Sequence, residues 1–273
     1  MLIKNVLSVP KKANEMLSYQ HIYHAGCAAD VHKHASLSVL LNVMAQKDKP
    51  LTYFETHAGR GVYDLNAPEA EKTKEADKGI RAFLKSEKLP DSHPYISLLK
   101  KMAAEVGENV YPGSPFIAEA LLRPTDTLIL SELHPQEYRA LKHIMSYPNV
   151  HIHNRDGYEA ALALCPPTPR RGMVFIDPSY EIKSEYEKAA KTVLKLHKKW
   201  AEGVIAVWYP VLASGEYKAL KDILLNAELP KLYADEVSFH LKKGQNGIEG
   251  SGLIVINTPY GAESELEKIK EQF

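Results

Sequence analysis

Five short apolar runs constrain this chain more than any other feature: LTYFE at 51–55, TLILSE at 127–132, VHIH at 150–153, GMVFID at 172–177 and GVIAVWY at 203–209. Their length and mostly uninterrupted apolar character are those of buried strands. Helical stretches lie between most of them: PFIAEALL after Ser114, PQEYRALKHIM after His134, GYEAALAL after Asp156 and KSEYEKAAKTVLKLHKKW after Ile182. Ser114 followed by Pro115 predicts a helix start with the serine as cap, and Asp156 is placed to cap the next helix. Strands alternating with helices of this length imply βαβ units, a parallel sheet and an α/β fold. The rhythm breaks at the end, where ADEVSFHL and GLIVINTPY are joined by a glycine-containing loop and read as antiparallel neighbours.

The chain has 273 residues, 45% hydrophobic and 25% charged. That suits one large α/β domain or one domain with an insert. The gap at 62–112 holds helical pieces such as EKTKEADKGIRAFLKSE and YISLLKKMAAEV and is too long for an ordinary crossover, so an inserted helical subdomain is expected there. Another helix is expected from about Ala28 to Gln46, ahead of the first strand. The formal net charge of zero argues against a histone-like surface but leaves room for a local basic face. Two places suggest one: Lys4, Lys11, Lys12 and Lys33 near the start, and Lys242 with Lys243 in a glycine-containing segment. Taken alone, these read better as a solvated tail and a loose loop. Cys27 and Cys165 lie far apart with no C-x-x-C spacing, which is economical for reduced thiols in a cytoplasmic protein. No apolar run approaches the roughly 20 residues of a membrane span, and the opening residues lack a secretory apolar region.

Ligands in open α/β sheets bind beyond the carboxyl ends of the strands. Four of the strands end on polar residues: the first in ETHAGRG, the second in Glu132 and His134, the third in Asn154 and Asp156, the fourth in Asp177. Each alone is an ordinary cap or turn residue, but four converging on one edge point to a site. THAGRG lacks the full dinucleotide fingerprint, although Gly59 and Gly61 allow close backbone approach. Glu132 stands where an acidic residue receives ribose hydroxyls, which fits NAD and S-adenosyl-L-methionine equally. A terminal antiparallel pair leans toward the class I methyltransferase sheet, since a dehydrogenase more often adds a further parallel unit.

The fourth strand separates the two. In DPSY, the Asp177 carboxylate and the Pro178 carbonyl can accept both N–H bonds of an exocyclic adenine amine, drawing its lone pair out of conjugation. Tyr180 is then placed to stack on the base, worth about 1–3 kcal/mol. A sulfonium methyl needs no metal, and in-line positioning does most of the work. The bland alternative is a proline that ends a strand and a tyrosine that covers an edge. His21, His24, His32 and His34 raise a zinc hypothesis, but no cysteine or carboxylate set completes it, so no metal is expected. For His32 a plain surface histidine is the default reading.

YQHIYHAGCAADVHKH, ETHAGRGVYDL, YPGSP, LSELHP, RDGYE, IDPSYE, VWYPV and SGLIVINTP, in that order, closely resemble the RlmJ family of ribosomal RNA adenine-N6 methyltransferases. The resemblance runs from about Met16 to Pro259. It implies a Rossmann-like class I fold, mostly parallel with a terminal antiparallel hairpin and a helical insertion, in one domain over 16–273. It implies that His34, His57, Ser114, Glu132, Asp156 and Gly157 contact S-adenosyl-L-methionine. Glu132 would hold the ribose and Asp156 would read the adenine, while His34 and His57, helped by Lys33, would face the methionine end. Asp177 and Pro178 would hold the target amine, Tyr180 would stack, and Tyr19 would touch the RNA. The implied partner is 23S ribosomal RNA, methylated at one adenine splayed from its stack, by a monomer with no membrane association. Ser179 departs from the commoner DPPY, which leaves both acceptor groups in place and loosens the loop. Residues 1–15 precede a natural-looking start at Met16 and are expected to be a disordered leader. A DNA adenine-N6 methyltransferase and a catalytically silent RNA-binding protein of the same fold remain the alternatives, with an NAD-linked oxidoreductase more distant.

Overall fold

The computed structural model describes residues 20–239 and 248–273. The expected leader at 1–15, Tyr19, and the pair Lys242 and Lys243 lie outside the described residues. After a 3-10 turn at His21–Tyr23 the chain forms α1 (Ala28–Ala45) and β1 (Thr52–Glu55). It then runs through β2 (Val62–Asp64), α2 (Pro68–Thr73), α3 (Glu75–Lys78), α4 (Ile80–Ser86), α5 (Pro94–Val106), β3 (Val110–Pro112) and α6 (Ser114–Leu121). Regular alternation follows in β4 (Thr127–Ser131), α7 (Pro135–Ile144), β5 (Val150–His153), α8 (Gly157–Leu164), β6 (Gly172–Ile176), α9 (Ser184–Lys199), β7 (Val204–Val211) and α10 (Tyr217–Leu225). The end is β8 (Tyr233–Ser238), β9 (Gly250–Ile256) and α11 (Ala262–Lys270).

Seven strands form one sheet in the order β5-β4-β1-β6-β7-β9-β8. The first five run parallel, and β9 is antiparallel to both β7 and β8. This is the Rossmann-like class I arrangement. β1 and β6 are buried throughout, as central parallel strands covered on both faces must be. β8, at the edge, alternates buried with wetter positions. Glu55 lies opposite Leu130 on one side and Phe175 on the other. Two residues further on, Glu132 and Asp177 therefore emerge at the same carboxyl edge, flanking the crevice where the winding reverses.

β2 and β3 pair antiparallel as a separate ribbon, register Tyr63↔Tyr111. Strands of three residues carry too little periodicity to be read from sequence. α9 shows how clear the long helices are: Tyr186, Ala189, Ala190, Val193 and Leu196 bury one face, with acids in the first turn and bases in the last.

α1 is different, because it is buried nearly all round and packs on α5, α6, α11 and β9. Burial includes Asp30, His32, Lys33 and His34, and each buried polar group needs a partner. Consecutive helical residues point about 100° apart, so these three neighbours reach different elements. His32 reaches Ser251 in β9, Lys33 reaches Asp177 after β6, and His34 reaches Tyr111 in β3. This burial corrects two expectations. His32 is not a surface histidine but is 0% exposed, and Lys33 is not part of an exposed basic face but is 4% exposed. Sequence could not show this, since a polar triplet on a helix ordinarily marks its wet side.

Candidate active site at the carboxyl edge of the sheet

Asp177 follows β6 directly. Its Oδ2 accepts from Lys33 Nζ at 2.7 Å, and the same ammonium lies 2.9 Å from Asp30 Oδ1. Asp30 in turn accepts from the Gly26 N–H at 2.9 Å and stands 2.8 Å from His21 Nε2. Burial works against every charge in this row. It lifts the Asp177 carboxyl above its usual value while Lys33 pulls it back. Against the same burial, Asp177 and Asp30 hold the Lys33 ammonium well above its ordinary value. The result is a mostly buried carboxylate tied directly to an ammonium. Among the described residues Lys33 is its hydrogen-bond partner, on one oxygen only.

Pro178 is buried, and Ser179 half-buried. Tyr180 carries a positive φ of 55°, a conformation that a non-glycine residue adopts only when its surroundings impose it. Three contacts do so. Its N–H donates to Glu185 Oε2 at 2.9 Å, its hydroxyl donates to the Trp208 carbonyl at 2.6 Å, and its ring stacks on Tyr186 at 4.3 Å between centroids. The ring expected to stack on a base thus has one face already covered by Tyr186.

On the other side of the crevice, Glu132 after β4 accepts from the Gly59 N–H and from the His134 N–H, each at 2.7 Å. Burial pushes its carboxyl up to about 7. Next to it Leu133 is 48% exposed, a large apolar side chain beside a buried carboxylate. Asp156 does cap α8, accepting from the Glu159 N–H at 3.0 Å, and pairs with Lys188 at 3.0 Å. Gly157 is demanded by space: a Cβ there would sit 1.8 Å from the Thr56 carbonyl oxygen. Gly59 and Gly61 both take positive φ in the loop between β1 and β2.

His57 stands 2.8 Å from Thr56 Oγ1 and edge-on to Tyr158, and burial pushes it down to about 4. His34 stands 2.8 Å from the Tyr111 hydroxyl, and burial pushes it down to about 3. Both rings are neutral at pH 7. Ser114 does not cap its helix. Gly113 holds the cap position, and the Ser114 hydroxyl donates to Glu55 Oε1. Glu55 also accepts from Tyr53 at 3.0 Å, and burial pushes its carboxyl up to about 8.

The strand-end residues read from sequence, namely His57, Glu132, Asp156, Gly157, Asp177 and Pro178, all come from this edge, and Lys33 is carried to it by α1. Sequence reasoning missed Glu55, Leu133 and Trp208. Glu55 was within ETHAGRG but hidden by the flanking histidine and glycines. Leu133 falls between Glu132 and His134, whose polar side chains drew the reading, and Trp208 looked like strand core. The four N-terminal histidines face separate partners: His21 meets Asp30, His24 meets Glu75, His32 meets Ser251 and His34 meets Tyr111. Among the described residues no group of three His, Cys, Asp or Glu is placed to hold a metal ion. No helix among them is long and apolar enough to cross a membrane.

A family model described as ribosomal RNA large subunit methyltransferase D, RlmJ, matches residues 48–273. The Escherichia coli K12 protein named ribosomal RNA large subunit methyltransferase J is 36% identical over 256 residues, covering 93% of this chain and 91% of that one. The Haemophilus influenzae protein of the same name is 37% identical over 257 residues, covering 93% and 92%. A crystal structure of a Legionella pneumophila protein superposes with a TM-score of 0.81 at 38% identity, covering 91% of this chain and 92% of that one. A matched model over most of the chain and relatives this similar over nearly all of it give one conclusion: the chain belongs to the RlmJ family of ribosomal RNA large subunit methyltransferases.

Proposed function

We propose that this protein transfers the methyl group of S-adenosyl-L-methionine to the N6 amine of one adenine in 23S ribosomal RNA. The observation that carries the chemistry is Asp177, a carboxyl group at the end of a central parallel strand, paired with the Lys33 ammonium at 2.7 Å. The next residue, Pro178, brings a carbonyl and no N–H to compete for it.

The residues present fit the cofactor. Glu132 suits a ribose, two N–H groups already fixing its carboxylate. Leu133, exposed beside it, suits the flat face of an adenine, with Asp156 as an acceptor for the adenine amine. Ser114 opens α6, whose first N–H groups lack intrahelical partners and whose cap residue, Gly113, brings no side chain to occupy them. That end suits the carboxylate of the methionyl part, which His34 and His57 would also face. The Tyr158 hydroxyl is buried without a hydrogen-bond partner among the described residues, beside His57.

The cofactor supplies a sulfonium methyl already activated for displacement. The chain supplies orientation and a place for a proton. Asp177 and the Pro178 carbonyl accept the two amine hydrogens, which frees the nitrogen lone pair to face the methyl group. Once methylated, the amine would be cationic and Asp177 would take one of its protons. The nearby Lys33 ammonium favours the ionised form of that carboxyl and so readies it as the acceptor. Tyr180, 5% exposed, would have to turn out from Tyr186 to stack on the base, and Tyr19 touches the RNA. We read 62–112 as an inserted subdomain of one methyltransferase domain over 16–273, acting as a monomer in the cytoplasm.

Asp177→Ala tests this reading. Cofactor binding by calorimetry is expected to persist while methyl transfer to unmodified 23S rRNA is lost. Transfer that survives in the variant would remove Asp177 from the mechanism. A wild-type protein that binds cofactor and RNA but transfers nothing would favour the silent RNA-binding alternative.

A further inference from the structure

Behind the site lies a buried polar row that the proposed chemistry does not use. The Trp208 indole N–H, a donor only, meets Ser251 Oγ at 2.7 Å. Ser251 Oγ also stands 2.8 Å from His32 Nδ1, and His32 Nε2 lies 3.4 Å from Asp235 Oδ2. Tyr233 donates to the same Asp235 oxygen at 3.1 Å. His32, Ser251 and Asp235 are all buried, on α1, β9 and β8 respectively. The polarity of the row follows from its Trp208 end: the indole only donates, so Ser251 Oγ accepts from it and has its own proton to give to His32 Nδ1. His32 Nε2 makes no hydrogen bond among the described residues.

Replacing buried charged groups by well-packed apolar residues is often neutral for stability, so a buried polar row of this kind is informative for what it orients. Trp208 has two further duties. Its ring lies under the Lys33 ammonium, 5.0 Å from the centroid, and its carbonyl accepts the Tyr180 hydroxyl at 2.6 Å. Lys33 therefore rests on the Trp208 ring, whereas Tyr180 rests on the Trp208 main chain, which β7 holds. His32, which anchors the row, is also the chain neighbour of Lys33.

We propose that Ser251, backed by His32, is a positioning residue that fixes the Trp208 indole so that Lys33 stays in place beside Asp177. This inference rests on the adenine-methyltransferase reading above. It assigns Trp208 and its supporting row an effect on the chemical step and none on cofactor affinity.

The test compares Ser251→Ala, Ser251→Thr, Trp208→Phe and the Ser251→Ala/Trp208→Phe double variant, with Asp177→Ala as control. Methyl transfer to 23S rRNA gives kcat and the KM for cofactor. Removing either end of the Trp208–Ser251 bond is expected to lower kcat about tenfold, the scale of one lost buried hydrogen bond, with cofactor KM unchanged. The double variant is expected to be no worse than either single one, and Ser251→Thr, which keeps the hydroxyl, to recover most of the rate. Phenylalanine keeps the ring face at 208, so Trp208→Phe carries the test even if Ser251→Ala folds poorly. An active wild type and a dead Asp177→Ala beside Trp208→Phe at full kcat would overturn the positioning role alone. A wild type that transfers nothing would instead overturn the reading beneath it.

Discussion

At Asp177 and at Glu55, burial lifts two carboxyls of the same site above their ordinary values. Lys33 stands 2.7 Å from Asp177 and opposes that lift, whereas Glu55 has only the neutral hydroxyls of Ser114 and Tyr53 and is pushed up to about 8. The sign of the consequence is fixed. A folded value near 8 against an ordinary 4.5 means that the folded state holds a proton the unfolded chain releases between those values. Stability from this group therefore falls as pH rises from about 4.5 to about 8 and levels off above. His34, pushed down to about 3, costs stability only below its ordinary 6.5 and so adds no slope above it. Melting temperatures at pH 6.5 and 8 are expected to fall in the wild type and to fall less in Glu55→Gln, which carries no titrating proton. Equal slopes in the two proteins would mean that Glu55 is ionised throughout.

The elements differ in how much of them could be read beforehand. The five parallel strands and the helices after Ser114, His134, Asp156 and Ile182 were legible because each is long enough to show its own period or its own cap. Asp156 capping α8 is the cleanest instance. α1 was legible as a helix but not in what it does. Which of His32, Lys33 and His34 points where depends on three elements up to 219 positions away, and no local pattern encodes them. Ser114 was misjudged for a related reason: the cap went to Gly113, and the hydroxyl was taken by Glu55. At α8 the close approach to β1 makes a sharp prediction. In Gly157→Ala the new methyl would overlap the Thr56 carbonyl, which cannot move without disturbing the strand end. A loss of about 1–3 kcal/mol in denaturant unfolding is expected, together with weakened cofactor binding by calorimetry. Unchanged values for both would show that the end of β1 yields freely.

Over the whole molecule, the parallel character of the sheet and the antiparallel direction of the last strands were the most readable features, since they follow from the alternation of strands and helices along the chain and its break at the end. The RNA-facing surface was the least readable. Zero net charge gives it no signature, and Lys33, which counts toward a basic face in the sequence, is buried in the site. What remains is a family, a fold and an edge whose chemistry favours an aromatic amine. The most direct measurement is methyl transfer from labelled S-adenosyl-L-methionine to 23S rRNA stripped of its modifications, followed by nucleoside analysis and mapping. A carboxylate and a carbonyl that together hold one exocyclic amine predict N6-methyladenosine at a single position, absent with Asp177→Ala. Label on any rRNA atom other than an adenine N6 would contradict that mechanism, and label recovered on DNA adenine alone would contradict the RNA assignment.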